Sequence, residues 1–139
     1  MPSSFMTPLE LEYLDGRTWR LTHRFEFMSE VTESVIDIPD GFLTDFASIP
    51  RGLWNVLPPT GLYGKAAVVH DWLYKTRKAT THLVDRAEAD AVLLESMEVL
   101  GVGRFTRLAI YAGVRLGGWA AWNAHRKEDE EFDPPPTFV

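Results

Sequence analysis

The chain has 139 residues, 45% of them hydrophobic, and a formal net charge of −6 at pH 7. Its length and composition fit one compact domain with an apolar core. The acidic balance argues against binding along nucleic-acid backbones, which requires clustered lysine and arginine. The sequence contains no cysteine, which excludes disulfide bonds, thiol catalysis and thiolate metal sites. Any metal would be held by oxygen atoms or imidazole nitrogens.

The N-terminal part of the chain carries the pattern of β-strands. Apolar, aromatic and β-branched residues alternate over residues 9–39, as in strands with one buried face. Asp15-Gly16 predicts a hairpin turn, because both central residues of a type I′ turn need positive φ. We therefore expect a small antiparallel sheet. Residues 42–51 are too irregular for a strand and predict a loop that leads into a short helical turn near Trp54, followed by a second loop at residues 57–61.

After residue 64 the spacing of apolar residues becomes that of helices. Gly113, Gly117 and Gly118 each weaken the last of these helices by about 1 kcal/mol relative to alanine, which indicates close packing or a break. The predicted fold class is α+β, with a small antiparallel β-sheet from the N-terminal half packed with about three α-helices from the C-terminal half. The helices are predicted over residues 65–77, 84–100 and 104–125.

The C-terminal residues are acidic and rich in proline. A run of acidic residues ends at Glu131 and three prolines end at Pro136, a composition typical of solvated, disordered segments. We predict a single domain over residues 1–126 and a flexible tail over residues 127–139. No signal-peptide pattern or run of about 20 apolar residues is present, so we expect a cytoplasmic protein without a transmembrane segment.

An apolar helical run at residues 66–74 carries His70, Asp71 and Tyr74, and the next predicted helix carries Asp90. Polar groups are costly in a core unless they are paired, so this set indicates a site. His70 and Tyr74 share one helix face, and Asp71 points about 100° away. Asp90 can hold one imidazole nitrogen of His70 while the other activates a water. The alternative is a scaffold network of mutually satisfied buried groups.

Two polar residues of the preceding loop can join this set. Ser48, His70 and Asp90 form a candidate nucleophilic triad, but the sequence lacks the Gly-x-Ser-x-Gly turn that exposes such serines. The water-activating dyad is therefore the leading hypothesis. Asp45 is a candidate pocket-lining carboxylate or additional metal ligand. Convergence of Asp45, His70 and Asp90 with Asp71 would instead make a zinc or other divalent site, as in a cell-wall peptidase, although the ligand spacing is not clean.

Several strings resemble an uncharacterised family encoded mainly by tailed phages and prophages. They are FLTDFASIPR at residues 42–51, AAVVHDWLY at residues 66–74, RAEAD at residues 86–90 and GV at residues 101–102, and the resemblance covers roughly residues 9–120. It implies a bacteriophage context, synthesis in the cytoplasm of a bacterial host and other virion proteins as partners. The non-enzymatic alternative is a head, neck or tail component packaged in the virion.

The pattern His70-Asp71-x-x-Tyr74, followed by Ala89-Asp90, is also similar to secretory phospholipases and to the cysteine-free phospholipase domain of parvovirus capsids. That resemblance implies that His70 is the general base, Asp90 its orienting carboxylate and Tyr74 a supporting hydrogen-bond donor. It further implies that Asp71 binds Ca²⁺ and that the substrate is a lipid or envelope ester. Residues 58–64 stand where phospholipases have a glycine-rich calcium loop.

Overall fold

The computed structural model describes residues 2–16, 18–46, 48–49, 52 and 63–132. Residues 130–132 are described by their backbone alone. Within these residues six strands precede four helices, which confirms the predicted α+β class. The strands are β1 (Ser4–Phe5), β2 (Leu11–Asp15), β3 (Thr18–Leu21), β4 (Phe25–Ser29), β5 (Ser34–Ile38) and β6 (Leu43–Thr44). The helices are α1 (Tyr63–Thr76), α2 (Arg86–Val99), α3 (Arg104–Gly117) and α4 (Trp119–Phe132).

The described strands form two antiparallel sheets of three strands each, where the sequence pattern predicts one sheet. Their strand orders are β1-β4-β5 and β2-β3-β6. The hairpin predicted at Asp15-Gly16 joins β2 to β3, and Gly16 has a φ of 49°. Strands β4 and β5 pair from Phe25 opposite Ile38 to Ser29 opposite Ser34. Every second residue of these two strands is buried, as expected for a sheet with one face on the core.

Leu43 and Thr44, which the sequence pattern assigns to a loop, form the short strand β6. Thr44 pairs with Trp19 of β3, and Leu43 pairs with Arg20. A two-residue strand has no periodicity of its own, so only its pairing with β3 reveals it. The helical turn predicted near Trp54 and the loop predicted at residues 57–61 lie outside the described residues.

The last predicted helix is two helices, because the chain breaks at Gly118 between α3 and α4. Helix α4 continues to Phe132, so residues 127–132 of the predicted tail are helical, and residues 133–139 lie outside the described part of the chain. Helix α2 begins after Asp85, whose side chain accepts a hydrogen bond from the Glu88 N–H at 2.7 Å. Among the described residues, no helix combines the length and the apolar character needed to cross a bilayer.

Helix α1 lies between two apolar cores. The first core lies between α1 and the β1-β4-β5 sheet. It includes strand residues and helix residues, among them Phe25, Phe27, Ile36, Val69 and Leu73. A second core joins α1 to α2 and α3, and it includes Ala66, Leu93, Met97, Ile110 and Val114. Complete burial of a large apolar side chain stabilises a fold by about 1.5–3 kcal/mol. This double packing buries all residues of α1 from Ala66 to Tyr74, the polar ones included.

Glu95 of α2 ties the helices to the sheet. Its carboxylate accepts hydrogen bonds from the Ser3 hydroxyl at 2.5 Å, the Ser29 hydroxyl at 2.7 Å and the Glu30 N–H at 2.8 Å. Hydrogen bonds to a carboxylate are stronger than those between neutral groups. The contact therefore fixes β1 and the end of β4 against the face of α2.

Candidate active site

His70 of α1 and Asp90 of α2 form the centre of a buried polar cluster. The Nε2 atom of His70 lies 2.7 Å from Asp90 Oδ1, and both side chains have no solvent exposure. The two residues are brought together because α1 and α2 pack directly on each other across the second core. The structure thus unites the two residues that the sequence predicts to form a dyad.

Two arginines hold the second oxygen of the Asp90 carboxylate. Arg115 of α3 lies 2.9 Å from Asp90 Oδ2, and Arg86, one turn before Asp90 on α2, lies 3.5 Å away. Burial by itself raises the pKa of Asp90, but the hydrogen bonds and charge of His70, with the bonds from Tyr74 and Arg115, outweigh it and lower that pKa below its ordinary value. Asp90 is therefore a carboxylate at neutral pH.

Tyr74 completes the shell of donors around Asp90. Its hydroxyl donates to Asp90 Oδ1 at 2.6 Å, and its ring lies 4.2 Å from the His70 ring between centroids. Burial, followed by the hydrogen bond and charge of Asp90, raises the pKa of Tyr74, so the phenol stays protonated and remains a donor. A Cβ atom at Gly118 would lie 2.4 Å from the Tyr74 hydroxyl. The break between α3 and α4 therefore makes room for this phenol.

Ser48 occupies the other side of the imidazole. Its hydroxyl oxygen lies 3.1 Å from His70 Nδ1, and the residue is 1% exposed. Because the ionised Asp90 can only accept, it assigns the imidazole proton to Nε2. When the imidazole is neutral, the lone pair of Nδ1 faces the hydroxyl of Ser48, and when it is charged, Nδ1 donates to that hydroxyl. The geometry is that of a base directed at an O–H group.

A tight turn between β6 and Ser48 presents the serine to His70. Phe46 has a φ of 58°, an unusual conformation for a bulky residue. The Ile49 N–H bonds to the Phe46 carbonyl at 3.3 Å, and the Phe46 N–H bonds to the Thr44 hydroxyl at 3.3 Å. Strained backbone of this kind occurs at functional sites more often than elsewhere, although it lacks the glycines of the familiar nucleophile turn.

Asp71 holds this turn and does not join the His70 cluster. Its Oδ2 atom accepts from the Thr44 hydroxyl at 2.7 Å and lies 3.3 Å from Lys75 Nζ. Lys75 also donates to the Leu43 carbonyl at 2.9 Å. The Thr44 hydroxyl thus links Asp71 of α1 to the backbone of the turn that carries Ser48.

Asp45 lies on the Asp71 side of α1 as well. Its carboxylate is 3.9 Å from Lys75 Nζ, and it lines an open surface groove of about 590 Å³ together with Lys75, His125 and Glu128. The lining of this groove does not include His70, and a place for Asp45 in the pocket of the His70 site stays a prediction.

The surroundings of Asp71 contain one feature that favours cation binding and one that opposes it. The Oδ1 atom of Asp71 is buried without a hydrogen-bond partner and could serve as one oxygen ligand. The ammonium of Lys75 already neutralises the other oxygen, and among the described residues no group of three or more histidine or acidic side chains is placed to hold a metal. Most of the predicted calcium loop, residues 58–62, lies outside the described residues.

Three residues of the site have roles that the sequence pattern does not reveal. Arg115 is one of several scattered arginines in the sequence, and Gly118 is one of three helix-weakening glycines. Thr44 lies beside Asp45 in the string FLTDFASIPR, but the pattern gives it no role of its own. Arg115 could have been found from physical reasoning alone. A buried carboxylate such as Asp90 requires a cationic partner, and Arg115 lies within an apolar run on the next helix.

Comparisons with known proteins place the chain in a family. The sequence profile of a family described as "Protein of unknown function (DUF1353)" matches residues 19–114, which include Ser48, His70, Tyr74 and Asp90. The chain is similar to the uncharacterised protein y4jT of Sinorhizobium fredii (strain NBRC 101917 / NGR234), with 31% identity over 102 residues. This alignment covers 72% of the chain but 29% of y4jT, so the chain spans less than a third of that relative. No solved structure matches the chain.

Proposed function

The chain belongs to the DUF1353 family of proteins of unknown function, and we propose that it is a hydrolase of carboxylic esters in which His70 is the general base. The observation that carries this proposal is that the two nitrogens of one imidazole contact Asp90 and Ser48, with 2.7 Å from Nε2 to Asp90 Oδ1 and 3.1 Å from Nδ1 to the Ser48 hydroxyl oxygen. This arrangement leaves the basic Nδ1 atom directed at a hydroxyl.

The reaction needs one proton transfer in each direction. His70 Nδ1 removes the proton from the attacking O–H group, whose oxygen bonds to the ester carbonyl carbon. The imidazolium then returns that proton to the leaving alcohol oxygen as the ester bond breaks. Asp90 stabilises the imidazolium through Nε2, and Arg86 and Arg115 keep the carboxylate ionised throughout.

Two nucleophiles fit this scheme. In the first, His70 activates a water molecule held against the Ser48 hydroxyl. In the second, Ser48 attacks directly, forms an acyl ester and is released when a water repeats the same base-assisted step. The 3.1 Å contact between Ser48 and His70 gives the second route more support than the sequence pattern does.

Burial constrains how such an enzyme would work. His70 and Asp90 have no solvent exposure and Ser48 has 1%, so a substrate can reach Nδ1 only when the cover of the site moves. The same burial favours a second candidate function, in which the cluster is a scaffold that fixes three helices in a structural component of a virion. The sequence resemblance to proteins of tailed phages supports a phage context for both functions, and it makes envelope lipid the first substrate to test.

The first experiment compares wild type with His70→Gln and, as a matched control, His82→Gln. His82 is an exposed histidine whose ring contacts Glu88 at 2.5 Å. Short-chain nitrophenyl esters and mixed phospholipid vesicles are the substrates. Loss of the base should lower kcat/KM about 100-fold or more in His70→Gln, while His82→Gln keeps the wild-type value. Equal activity in all three proteins, or no activity in wild type, would contradict the hydrolase proposal and favour the scaffold.

Ser48→Ala separates the two nucleophiles. Direct attack by Ser48 predicts complete loss of turnover and, in wild type, a covalent adduct on Ser48 after treatment with a fluorophosphonate, detected by peptide mass spectrometry. Attack by water predicts that Ser48→Ala retains measurable turnover and that Ser48 carries no adduct.

A calcium ion at Asp71 stays a separate prediction, and the proposed reaction does not use it. Calorimetric titration of wild type and Asp71→Asn with Ca²⁺ tests it directly. Heat of binding in wild type that disappears in Asp71→Asn would support the site. Absence of binding in both proteins would leave Asp71 with the positioning contact to Thr44 that the structure gives it.

A further inference from the structure

Helix α3 has two apolar faces, and the protein's own core covers one of them. Ile110 and Val114 are buried against the rest of the protein. On the opposite side Phe105 is 89% exposed and Leu116 is 80% exposed, and Ala109 and Ala112 between them are also exposed. Large exposed apolar patches on a folded protein indicate an interaction surface. We call Phe105, Ala109, Ala112 and Leu116 the α3 stripe.

We propose that the α3 stripe is the interface of a homodimer, in which α3 packs antiparallel on α3 of a second copy of the chain. Along the stripe the side chains are large, small, small and large, and they are separated by four, three and four residues. It is therefore symmetric about a point between Ile110 and Tyr111. A twofold axis at that point would place Phe105 of each copy against Leu116 of the other and Ala109 against Ala112. An interface between identical surfaces requires this kind of self-complementarity.

The small residues at the centre and the large ones at the ends suit close helix packing. Alanines at the crossing point allow the helix axes to approach to about 8 Å, the lower end of the usual range. The outer phenylalanine and leucine then cover the crossing on both sides. Leu108, 42% exposed, and Trp119 at the start of α4, 57% exposed, extend the apolar surface beside the stripe.

The apolar area is sufficient for a dimer of modest stability. The stripe with Leu108 and Trp119 presents on the order of 500 Å² of exposed side chain, given the usual areas of such residues. Two copies would bury about 1,000 Å², which is the lower limit for a specific interface.

Charge favours a second copy over a lipid surface. The stripe contains no charged residue. Of the arginines on α3, Arg115 is paired with Asp90 and Arg107 donates to the Val102 carbonyl at 2.9 Å. Arg104 and Arg107 stay cationic on α3, but the whole chain carries a net charge of −6, so its overall charge does not attract it to anionic lipid. This inference does not depend on the proposed hydrolase.

Sedimentation velocity of the full chain tests the dimer. Wild type should sediment with twice the 15.8 kDa mass of the chain at high concentration and dissociate on dilution. Leu116→Glu places a charge in the stripe and should raise the dissociation constant at least 10-fold. The matched control is Leu83→Glu, because Leu83 is a 58% exposed leucine in the loop before α2. It should dimerise as wild type does.

Engineered cysteines test the antiparallel arrangement, since the chain has no cysteine of its own. The double variant Ala109→Cys/Ala112→Cys should form a covalent dimer on mild oxidation, because the proposed axis brings these positions within disulfide distance. A Leu83→Cys variant should stay monomeric on denaturing gels. A wild type that is monomeric at every concentration, or Leu116→Glu that dimerises as well as Leu83→Glu, would overturn the proposal. Vesicle binding by a monomer that Leu116→Glu abolishes would replace it with a membrane surface.

Discussion

Thr44 and Asp71, 27 residues apart in the sequence, share a buried hydrogen bond of 2.7 Å between Thr44 Oγ1 and Asp71 Oδ2. The same threonine oxygen accepts from the Phe46 N–H. One hydroxyl therefore connects the middle of α1 to the turn on which Ser48 is carried. Thr44 thus lies one contact away from the segment that carries Ser48, and its own hydrogen bonds are to Asp71 and Phe46.

Thr44→Val should destabilise the protein by about 1–3 kcal/mol, because it leaves a buried Asp71 oxygen without its hydroxyl donor. Urea unfolding measures this change. Thr44→Ser keeps the hydroxyl and is the control, with a loss of less than about 1.5 kcal/mol from the missing methyl group. In the proposed hydrolase, Thr44→Val also lowers kcat by a larger factor than it changes KM. Thr44→Ser should keep most of the wild-type kcat. Equal stability of the two variants would contradict a role for the hydroxyl.

The low pKa of Asp90 predicts an acid-sensitive contribution to stability. A carboxyl group whose pKa is lower in the folded state than in the unfolded state stabilises the fold fully above its unfolded value. That contribution is lost as pH falls from the ordinary value of 3.8 through the lower folded value. The stability difference between wild type and Asp90→Asn should therefore shrink below about pH 4.

Thermal unfolding of both proteins across this pH range measures the difference curve. Asp85→Asn is a useful control, because Asp85 is an exposed helix cap rather than a member of the buried cluster. A stability difference between wild type and Asp90→Asn that is the same at pH 3 and pH 7 would show that the charge of Asp90 does not stabilise the folded state.

Gly118→Ala should be destabilising by about 1–3 kcal/mol, since the new Cβ atom would lie 2.4 Å from the Tyr74 hydroxyl and 2.5 Å from the Val114 carbonyl oxygen. Removal of the phenol oxygen relieves the first contact. The double variant Gly118→Ala/Tyr74→Phe should therefore cost less than the sum of the two single changes. Strict additivity in this double-mutant cycle would rule out the packing conflict. Gly103→Ala, with no atom within 4 Å of the added carbon, is the matched control.

Glu95→Ala should destabilise the attachment of the sheet to α2 by about 2 kcal/mol or more, because it removes the acceptor of several hydrogen bonds at once. Glu95→Gln keeps one carbonyl acceptor and should lose less. Chemical denaturation gives the two values. The exposed neighbour Glu98 supplies the control, and Glu98→Ala should change stability by less than about 0.5 kcal/mol.

Local patterns were sufficient to predict the parts of the fold with strong short-range signals. The hairpin at Asp15-Gly16 follows from turn chemistry, and the alternation in β4 and β5 follows from a single buried face. The contact between His70 and Asp90 was predictable because both lie on consecutive apolar helices whose polar residues need partners.

The remaining features depend on contacts between distant parts of the chain. Strand β6 exists only through its pairing with β3, and the division of the strands into two sheets has no signature in composition. Helical spacing continues across Gly118, so the break there is visible only when Tyr74 is seen beside it. The assignment of Asp71 to Thr44 and Lys75 likewise required the placement of the turn before Ser48.

The guanidinium of Arg86 serves as a common anchor for three helices. Its Nη1 atom lies 3.5 Å from Asp90 Oδ2 and 3.2 Å from the carbonyl oxygens of both Val114 and Arg115. The end of α3 cannot fray without exposing the ion pair between Arg86 and Asp90 of α2. Asp90 in turn joins α2 to α1 through His70. In hydrogen-exchange terms, we expect the amides of α1, α2 and α3 to open as one unit, whereas the edge strand β2, largely exposed and outside this network, can open on its own.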